Sequence, residues 1–395
     1  MSRAVPLPSR GSGASNDQTR RHNLSTVLSA LHHDGPQPRS RLTALSGLNR
    51  STIAALVAEL VELGLASETD PDPTNRVGRP SPTVQGDPHV VALAVNPELD
   101  AVTIGIVGLG GKLLKRVRYE TATPPTAREA ANISAAVIAG FRDELEREGR
   151  ICGVGVAVPG LVRVADGVVR FAPHLGWTDE PIAAMLTDAT GLPAFAANDA
   201  SVGAMAELLF GAGRGKTDLV YLNGGASGIG GGLIAGGVPI GGAGGFAGEF
   251  GHIRVDNSAG SYDDPEAGSL ESQVNRGALL AALGLEKADA DELERALLAS
   301  EDPAVLALVH RQLEYLSTSL RNAVNVLNPE VILLGGFLAS IFEADPDYLR
   351  ACVEAQSLRV SFEGLEIKRA ALGSDLLMIG AAELAFAPVL AAPAG

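Results

Sequence analysis

The sequence predicts an α/β protein that carries a separate helical head at its N-terminus. Three observations predict it. From Val90 onward, strand-like apolar runs alternate with helical ones, as in a sheet covered by helices. Before that, three short amphipathic stretches surround a turn at Gly47-Leu48-Asn49, a helix-turn-helix pattern. Between Leu222 and His252, 14 of 31 residues are glycine. That density costs too much backbone entropy for an ordinary helix or strand, and it suits close approach of N–H groups to a ligand.

In chain order, Met1 to Asp17 is rich in Ser, Gly and Pro and has no apolar h-region. It is expected to be a disordered tail rather than a signal peptide. Residues 18–85 form the head. Leu24, Val27, Leu28 and Leu31 mark one helical face, and Asp34-Gly35-Pro36 ends that helix. A second helix follows with Ser40 as N-cap and Leu42 and Leu45 inward. A third carries Ile53, Leu56, Val57, Leu60 and Val61 inward, with Gly64 as its C-terminal stop. Leu65–Glu68 and Ser81–Val84 are expected to pair as a wing, with Arg76 and Arg79 on its tip.

Charge separates head from body. Residues 1–85 carry a net +2 and the remainder −17, so the head is the part suited to a polyanion. In a winged helix-turn-helix the third helix enters the major groove by its N-terminal end. Asn49, Arg50, Ser51 and Thr52 are the candidate contacts there, with Arg39, Arg41, Arg76 and Arg79 beside them. The expected partner is a duplex DNA operator. The alternative is a helical packing domain with a solvated basic face.

In the body (residues 86–395), Val90–Val95, Ala101–Val107 and Leu113–Tyr119 predict a strand meander, and Ala127–Arg147 a helix. Ile151–Val158 predicts a buried strand ending at Pro159-Gly160, and Leu192–Ala197 one ending at Asn198-Asp199. Ala200–Phe210 is helical, and Leu219–Leu222 and Gly232–Ala235 flank the glycine loop. Val305–Leu327 predicts a long helix, and Val331–Leu334 a strand ending at Gly335-Gly336. Polar residues at strand ends are where ligands bind in such folds. Two cysteines, Cys152 and Cys352, exclude a disulfide framework and favour a reducing cytoplasm. No apolar run is judged long enough for a membrane span.

Several ordered motifs together resemble the ROK family (repressors, open reading frames, kinases), in its regulator branch. They are Gly78-Arg79-Pro80 behind the head, Val158-Pro159-Gly160, Asn198-Asp199-Ala200, and Ser227-Gly228-Ile229-Gly230-Gly231-Gly232. Gly248-Glu249-Phe250-Gly251-His252, Leu270-Glu271, Asn328-Pro329 and Leu334-Gly335-Gly336 complete the series. The resemblance implies a two-lobed, actin-like sugar-kinase (ribonuclease H-like) fold, usually dimeric or tetrameric, with a hexose between the lobes. It implies a sugar site at Gly160, Asn198, Asp199, Glu249, His252 and Glu271. Carboxylates there would accept charge-assisted bonds from sugar hydroxyls. It implies a nucleotide site at Ser227, Gly228, Gly230, Gly231, Gly335 and Gly336. In kinase members the residue at Asp199 is the general base.

Two departures shape the expected function. Family kinases open with an Asp-x-Gly-x-Thr phosphate loop, where this chain has Asn96-Pro97-Glu98. Productive ATP and magnesium binding is therefore not expected, although a weak nucleotide site stays open. Many members also hold zinc with the His of the Glu-x-Gly-His motif and three cysteines. Those cysteine positions are Tyr262, Asp264 and Ser269 here, so no structural zinc is expected. A solvated acidic loop is expected at Asp263, Asp264 and Glu266, with a hard cation there as the alternative. The expected function is a sugar-responsive repressor with a monosaccharide effector and no metal or cofactor. The alternative is an ATP-dependent sugar kinase carrying a DNA-binding head.

Overall fold

The computed structural model describes residues 16–69, 81–257 and 266–395. Helix α1 (Asn16–Asp34) starts inside the stretch expected to be tail and buries Leu24, Val27, Leu28 and Leu31. After the short strand β1 (Gln37–Pro38) comes α2 (Arg39–Ser46). Its N-cap is Pro38, not Ser40. Leu42 is buried, but Leu45 is 57% exposed, so this eight-residue helix offers the core less than expected. Helix α3 (Arg50–Glu62) buries Ile53, Leu56, Val57 and Leu60 and leaves Val61 turned outward. Leu65 N–H bonds Leu60 O at 2.9 Å and Gly64 N–H bonds Val61 O at 3.0 Å. This Schellman closure needs the positive φ of 66° at Gly64. Strands β2 (Ala66–Thr69) and β3 (Thr83–Gly86) pair antiparallel, with β1 on the far side of β3. Arg76, Arg79 and the Gly78-Arg79-Pro80 motif lie outside the described residues.

The body opens with the meander β4 (Val90–Pro97), β5 (Ala101–Gly108) and β6 (Lys112–Glu120). Helix α4 (Ala127–Glu148) starts at a Thr126/Glu129 capping box, and β7 (Arg150–Val158) follows. A small antiparallel sheet of β8 (Leu161–Arg163), β9 (Val168–Ala172) and β10 (Trp177–Glu180) precedes α5 (Ile182–Thr190). Then come β11 (Ala194–Asn198) and α6 (Asp199–Phe210). The first large sheet has the order β11-β7-β4-β5-β6.

The second half repeats that plan. Its meander is β12 (Leu219–Gly225), β13 (Gly228–Ala235) and β14 (Val238–Pro239). The short helices α7 (Leu270–Gln273), α8 (Arg276–Ala282) and α9 (Ala290–Ala299) lead to the long α10 (Pro303–Leu327). Strand β15 (Val331–Gly336), α11 (Phe337–Ala344), α12 (Pro346–Gln356), α13 (Arg359–Phe362) and β16 (Glu366–Arg369) follow, and α14 (Leu376–Ala391) ends the fold. This sheet has the order β14-β13-β12-β15-β16. In both sheets a meander is extended by two parallel strands laid beside its first strand.

The glycine stretch departs from expectation. Gly224, Gly225, Gly228, Gly230 and Gly231 sit in strands β12 and β13, not in a loop, so that β13 starts four residues before the expected Gly232. The reason is packing. A Cβ on Gly232 would lie 2.5 Å from Ala204 Cβ and 2.6 Å from Ala200 O, and one on Gly230 3.0 Å from Ala200 Cβ. Helix α6 rests on this hairpin so closely that side chains have no room.

The membrane expectation is also corrected. Gly373–Ala391 reaches the length and apolarity of a span, but 61% of it is buried within the protein. It is the helix on which the first sheet packs. Gly155, whose Cβ would lie 1.7 Å from Ala381 O, shows how tightly β7 meets α14. The same apolar core takes in Leu24, Leu28, Ile53, Ala381, Ala385 and Phe386, so head and first half share one interior.

Candidate functional site

The Asn198-Asp199 pair closes β11 and opens α6. Asn198 caps that helix, its Oδ1 accepting from Ser201 N–H at 2.9 Å, while its Nδ2 donates to Gly160 O at 3.0 Å. Gly160 is required there, since a Cβ would lie 2.5 Å from Phe171 O and 2.7 Å from Ala172 Cβ. Asp199 Oδ1 accepts from Ala200 N–H at 2.8 Å. From the second half, Glu271 sits in the first turn of α7, and its Oε2 accepts from Ile229 N–H at 2.8 Å. Gly228 leaves space for that carboxylate, because a Cβ there would lie 2.0 Å from Glu271 Oε2. Glu249 precedes a single 3-10 turn, Phe250–His252. His252 Nδ1 faces Glu266 Oε1 at 3.6 Å.

All six expected sugar-site residues line one cleft, of about 630 Å³ including its open mouth. Two carboxyls there are perturbed. Burial pushes Asp199 up to about 6, helped by the charge of Glu249 and opposed by the Ala200 N–H. Burial also raises Glu249, with Glu271 adding to the effect and His252 opposing it. Carboxyls raised by burial and by one another inside a cleft mark a candidate ligand site. Sequence reasoning missed Pro173 and His174, which enter the cleft from a 3-10 turn, and Asn223 of β12. The Pro173 and Gly176 that bracket the turn were the available signal.

The expected nucleotide set is split. Ser227, Gly228 and Gly230 line the sugar-type cleft. Gly231 is packed under Gly248 and Phe250, with Gly248 O 2.5 Å from where its Cβ would be. Gly335 and Gly336 alone face a second, larger cleft of about 1700 Å³, which Asn96, Glu98 and Thr103 also line. The strand register separates them, because the glycines of β13 and those of β15 flank opposite sides of β12. In the second cleft Asn96 is buried, and its Nδ2 donates to Ala157 O at 3.0 Å. Thr103 Oγ1 donates to Glu98 Oε1 at 2.5 Å. The arginines facing the cleft already hold acids: Arg116 with Asp375, Arg118 with Asp100 and Glu98, and Arg369 with Glu294.

In the head, Arg41, Arg50 and Ser51 are exposed and Thr52 half-exposed. Two candidates are otherwise engaged. Asn49 caps α3, its Oδ1 accepting from Thr52 N–H at 2.9 Å and Ser51 Oγ at 2.7 Å. Arg39 pairs with Glu68 of β2 at 2.5 Å. Of the positions expected to have lost zinc thiolates, Tyr262 and Asp264 lie outside the described residues, as does Asp263. Ser269 caps α7 through Ser272 N–H at 3.2 Å. Cys152 and Cys352 are free, and burial pushes the Cys152 thiol up to about 11.

Fold and cleft together define a mixed α/β protein of the sugar-kinase-like kind. The chain belongs to the ROK family, whose family profile matches residues 95–387. It is 26% identical to the xylose repressor of Caldicellulosiruptor bescii, over 94% of this chain and 97% of that protein. It is 29% identical to the glucokinase of Halalkalibacterium halodurans, over 58% of this chain and 74% of that protein. Among solved structures, a ROK family transcriptional regulator described as a homologue of the E. coli MLC protein superposes with a TM-score of 0.77. It has 24% identity and covers 94% of this chain and 97% of its own. The ROK glucokinase of Streptomyces griseus, solved with glucose and AMPPNP, gives a TM-score of 0.59 at 25% identity. It covers 74% of this chain and 98% of its own.

Proposed function

We propose that this protein is a sugar-responsive transcriptional repressor of carbohydrate-utilisation genes. Its body is a kinase-derived sensor, and its N-terminal residues 18–85 are a winged helix-turn-helix. The observation that carries this reading is the contrast between the two clefts. The cleft of Asn198, Asp199, Glu249, His252 and Glu271 gathers three carboxylates and an imidazole around one space, and only one oxygen each of Asp199 and Glu271 is taken by a backbone N–H. In the other, larger cleft the polar groups are already paired, Thr103 with Glu98 and Glu98 with Arg118. A monosaccharide would bridge the two halves of the body, and the two halves would close on it. The head would then move, with Arg41, Arg50, Ser51 and Thr52 facing duplex DNA. In a homodimer or homotetramer this would change how two heads fit two half-sites. The xylose repressor relative, which aligns over nearly the whole chain, supports a sugar effector and an operator. A reducing cytoplasm suits the two free cysteines.

Asp199 in its perturbed state favours a second reading, a sugar kinase with a DNA-binding head. The test is a thermal-shift screen over sugars, followed by operator titration and a coupled ADP-release assay with any binder. A binder raises apparent stability by mass action. Sugar-dependent loss of operator affinity without turnover is the expected result. Turnover on the order of 1–100 per second, abolished in Asp199→Ala, would establish the kinase instead.

A further inference from the structure

Helix α6 has its two ends in two different places. Its first residue is Asp199, in the polar cleft. Its last, Phe210, lies roughly 16 Å away by helical rise, about 1.5 Å per residue. There the Phe210 ring meets His32 edge-on at 5.4 Å and His33 at 6.0 Å, both at the end of head helix α1. Arg214, just beyond α6, donates to His33 O at 3.3 Å and pairs with Asp34 at 3.4 Å.

Helix α14 is locked to α6 along its flank. A Cβ on Gly380 would lie 2.4 Å from Val202 O. The buried Glu207 of α6 accepts Leu372 N–H, just ahead of α14, at 2.8 Å. One helical turn past Gly380, Glu383 reaches the same two histidines. It accepts from His32 Nε2 at 2.8 Å and faces His33 Nε2 at 3.8 Å. The Phe386 ring stands 5.0 Å from His32. Burial alone would raise the Glu383 carboxyl, but hydrogen bonds from His32 and His33 outweigh it and hold it below its ordinary range.

His32, His33 and Glu383 stand near enough to share a metal ion. The hydrogen bonding of His32 argues otherwise. Its Nδ1 accepts from Gly110 N–H at 2.9 Å, so the imidazole proton is on Nε2, the atom that faces Glu383. A metal at Nε2 would move that proton to Nδ1, against the Gly110 donor. The group is therefore a pin between α1 and α14.

We propose that His32, Phe210 and Glu383 are positioning residues of the sugar response. They fasten the head to the far end of a paired helix unit, α6 and α14, whose near end lines the effector cleft. This rests on the sugar-repressor reading above. A displacement of Asp199 on sugar binding is carried along α6 as a rigid body, because its packing against α14 and the β12–β13 hairpin leaves no slack. The head follows because the His32 ring is held on three sides.

The experiment uses the full chain, xylose and glucose as effectors, and a duplex selected by the wild-type protein from a random pool. Operator affinity is measured with and without sugar, and sugar affinity with and without duplex. In the wild type the two couplings must be the same factor, on the order of 5–150-fold. His32→Ala should keep sugar binding by the free protein and reduce both couplings to within about twofold of unity. His32→Gln, whose amide can donate to Glu383 from a similar position, should restore them. Phe210→Leu should fold where His32→Ala does not, and should lower both couplings equally. Full coupling in His32→Ala or Phe210→Leu would overturn the relay while leaving the repressor reading intact. A wild-type protein whose operator affinity ignores both sugars would overturn the reading and the relay together.

Discussion

The two large sheets have the same strand order, yet the hairpins that open them are opposites. The β4–β5 hairpin is filled by its own side chains. Asn96 is bonded to Ala157, Thr103 to Glu98, and Glu98 N–H to Ala101 O at 2.7 Å. The β12–β13 hairpin is emptied by glycine, and the space is taken by neighbours. Phe337 comes within 2.5 Å of a Cβ on Gly224, and Glu271 within 2.0 Å of one on Gly228. The first hairpin has its polar groups paired within itself or with β6 and β7. The second delegates its chemistry to carboxylates that reach in from elsewhere. One plan thus yields a self-contained corner and a receptive one, and Asn223 lines both clefts.

The sharpest way to break this contrast is to fill the empty hairpin. Gly232→Val forces atoms into Ala200 and Ala204, and should destabilise the fold by about 3 kcal/mol or more. Its denaturant midpoint should fall with the m-value unchanged.

A smaller effect is expected where a carboxylate is removed. Glu271→Ala leaves Ile229 N–H without its partner and deprives the sugar of an acceptor. Sugar affinity should fall by about 1–3 kcal/mol in calorimetry, with the unliganded fold retained. Unchanged affinity would mean that the cleft does not bind through this group.

The next effect is set by pH. Asp199 is raised from 3.8 to about 6, so the folded chain holds this proton more tightly than the unfolded one. Its contribution to stability is fully present below 3.8 and is lost as pH rises through about 6. Sugar binding runs the other way. The ionised acceptor forms only above about 6, and affinity should drop by up to about tenfold per pH unit below it. Glu249, Glu271, His252 and His174 share the cleft, so Asp199→Asn isolates the effect. Any pH dependence that survives in that variant belongs to the others.

The smallest effect is expected in the first hairpin. Thr103→Val removes one buried hydrogen bond to Glu98, which keeps Arg118 at 3.6 Å. Stability should fall by about 1 kcal/mol. Sugar affinity should stay at the wild-type value, and a change there would show that the two hairpins are coupled.

Much of this contrast was legible in the chain. Continuous apolar runs such as Val90–Val95, and the long helix at Val305–Leu327, gave elements whose ends shift by only a few residues. The cleft residues were legible because a carboxylate, an imidazole and an Asn-Asp pair sit in motifs with specific order. The strand character of Gly230 and Gly231 was not legible. Propensity sees only what a residue costs locally, and the gain comes from α6, some 30 residues away in the chain. Val61 and Leu45 were misassigned for the converse reason. Helical spacing places a residue near a face, but nothing in the sequence says where the neighbouring helix stops. His174 escaped notice because Pro173 and Gly176 mark only a turn, and nothing in a turn says which cleft its imidazole faces.

The cleft whose shape is defined by missing side chains has one further property. At Gly228, Gly231 and Gly251 any added atom meets backbone or carboxylate within 2.5 Å. Those positions offer almost no neutral neighbours in sequence space. The turn at Pro173 and His174 is exposed. Drift toward a new effector, in nature or in a mutant library, should therefore accumulate on that turn while the glycines stay fixed. Sequencing the survivors of a selection on an unfamiliar sugar would reveal this as a narrow band of change around residue 174.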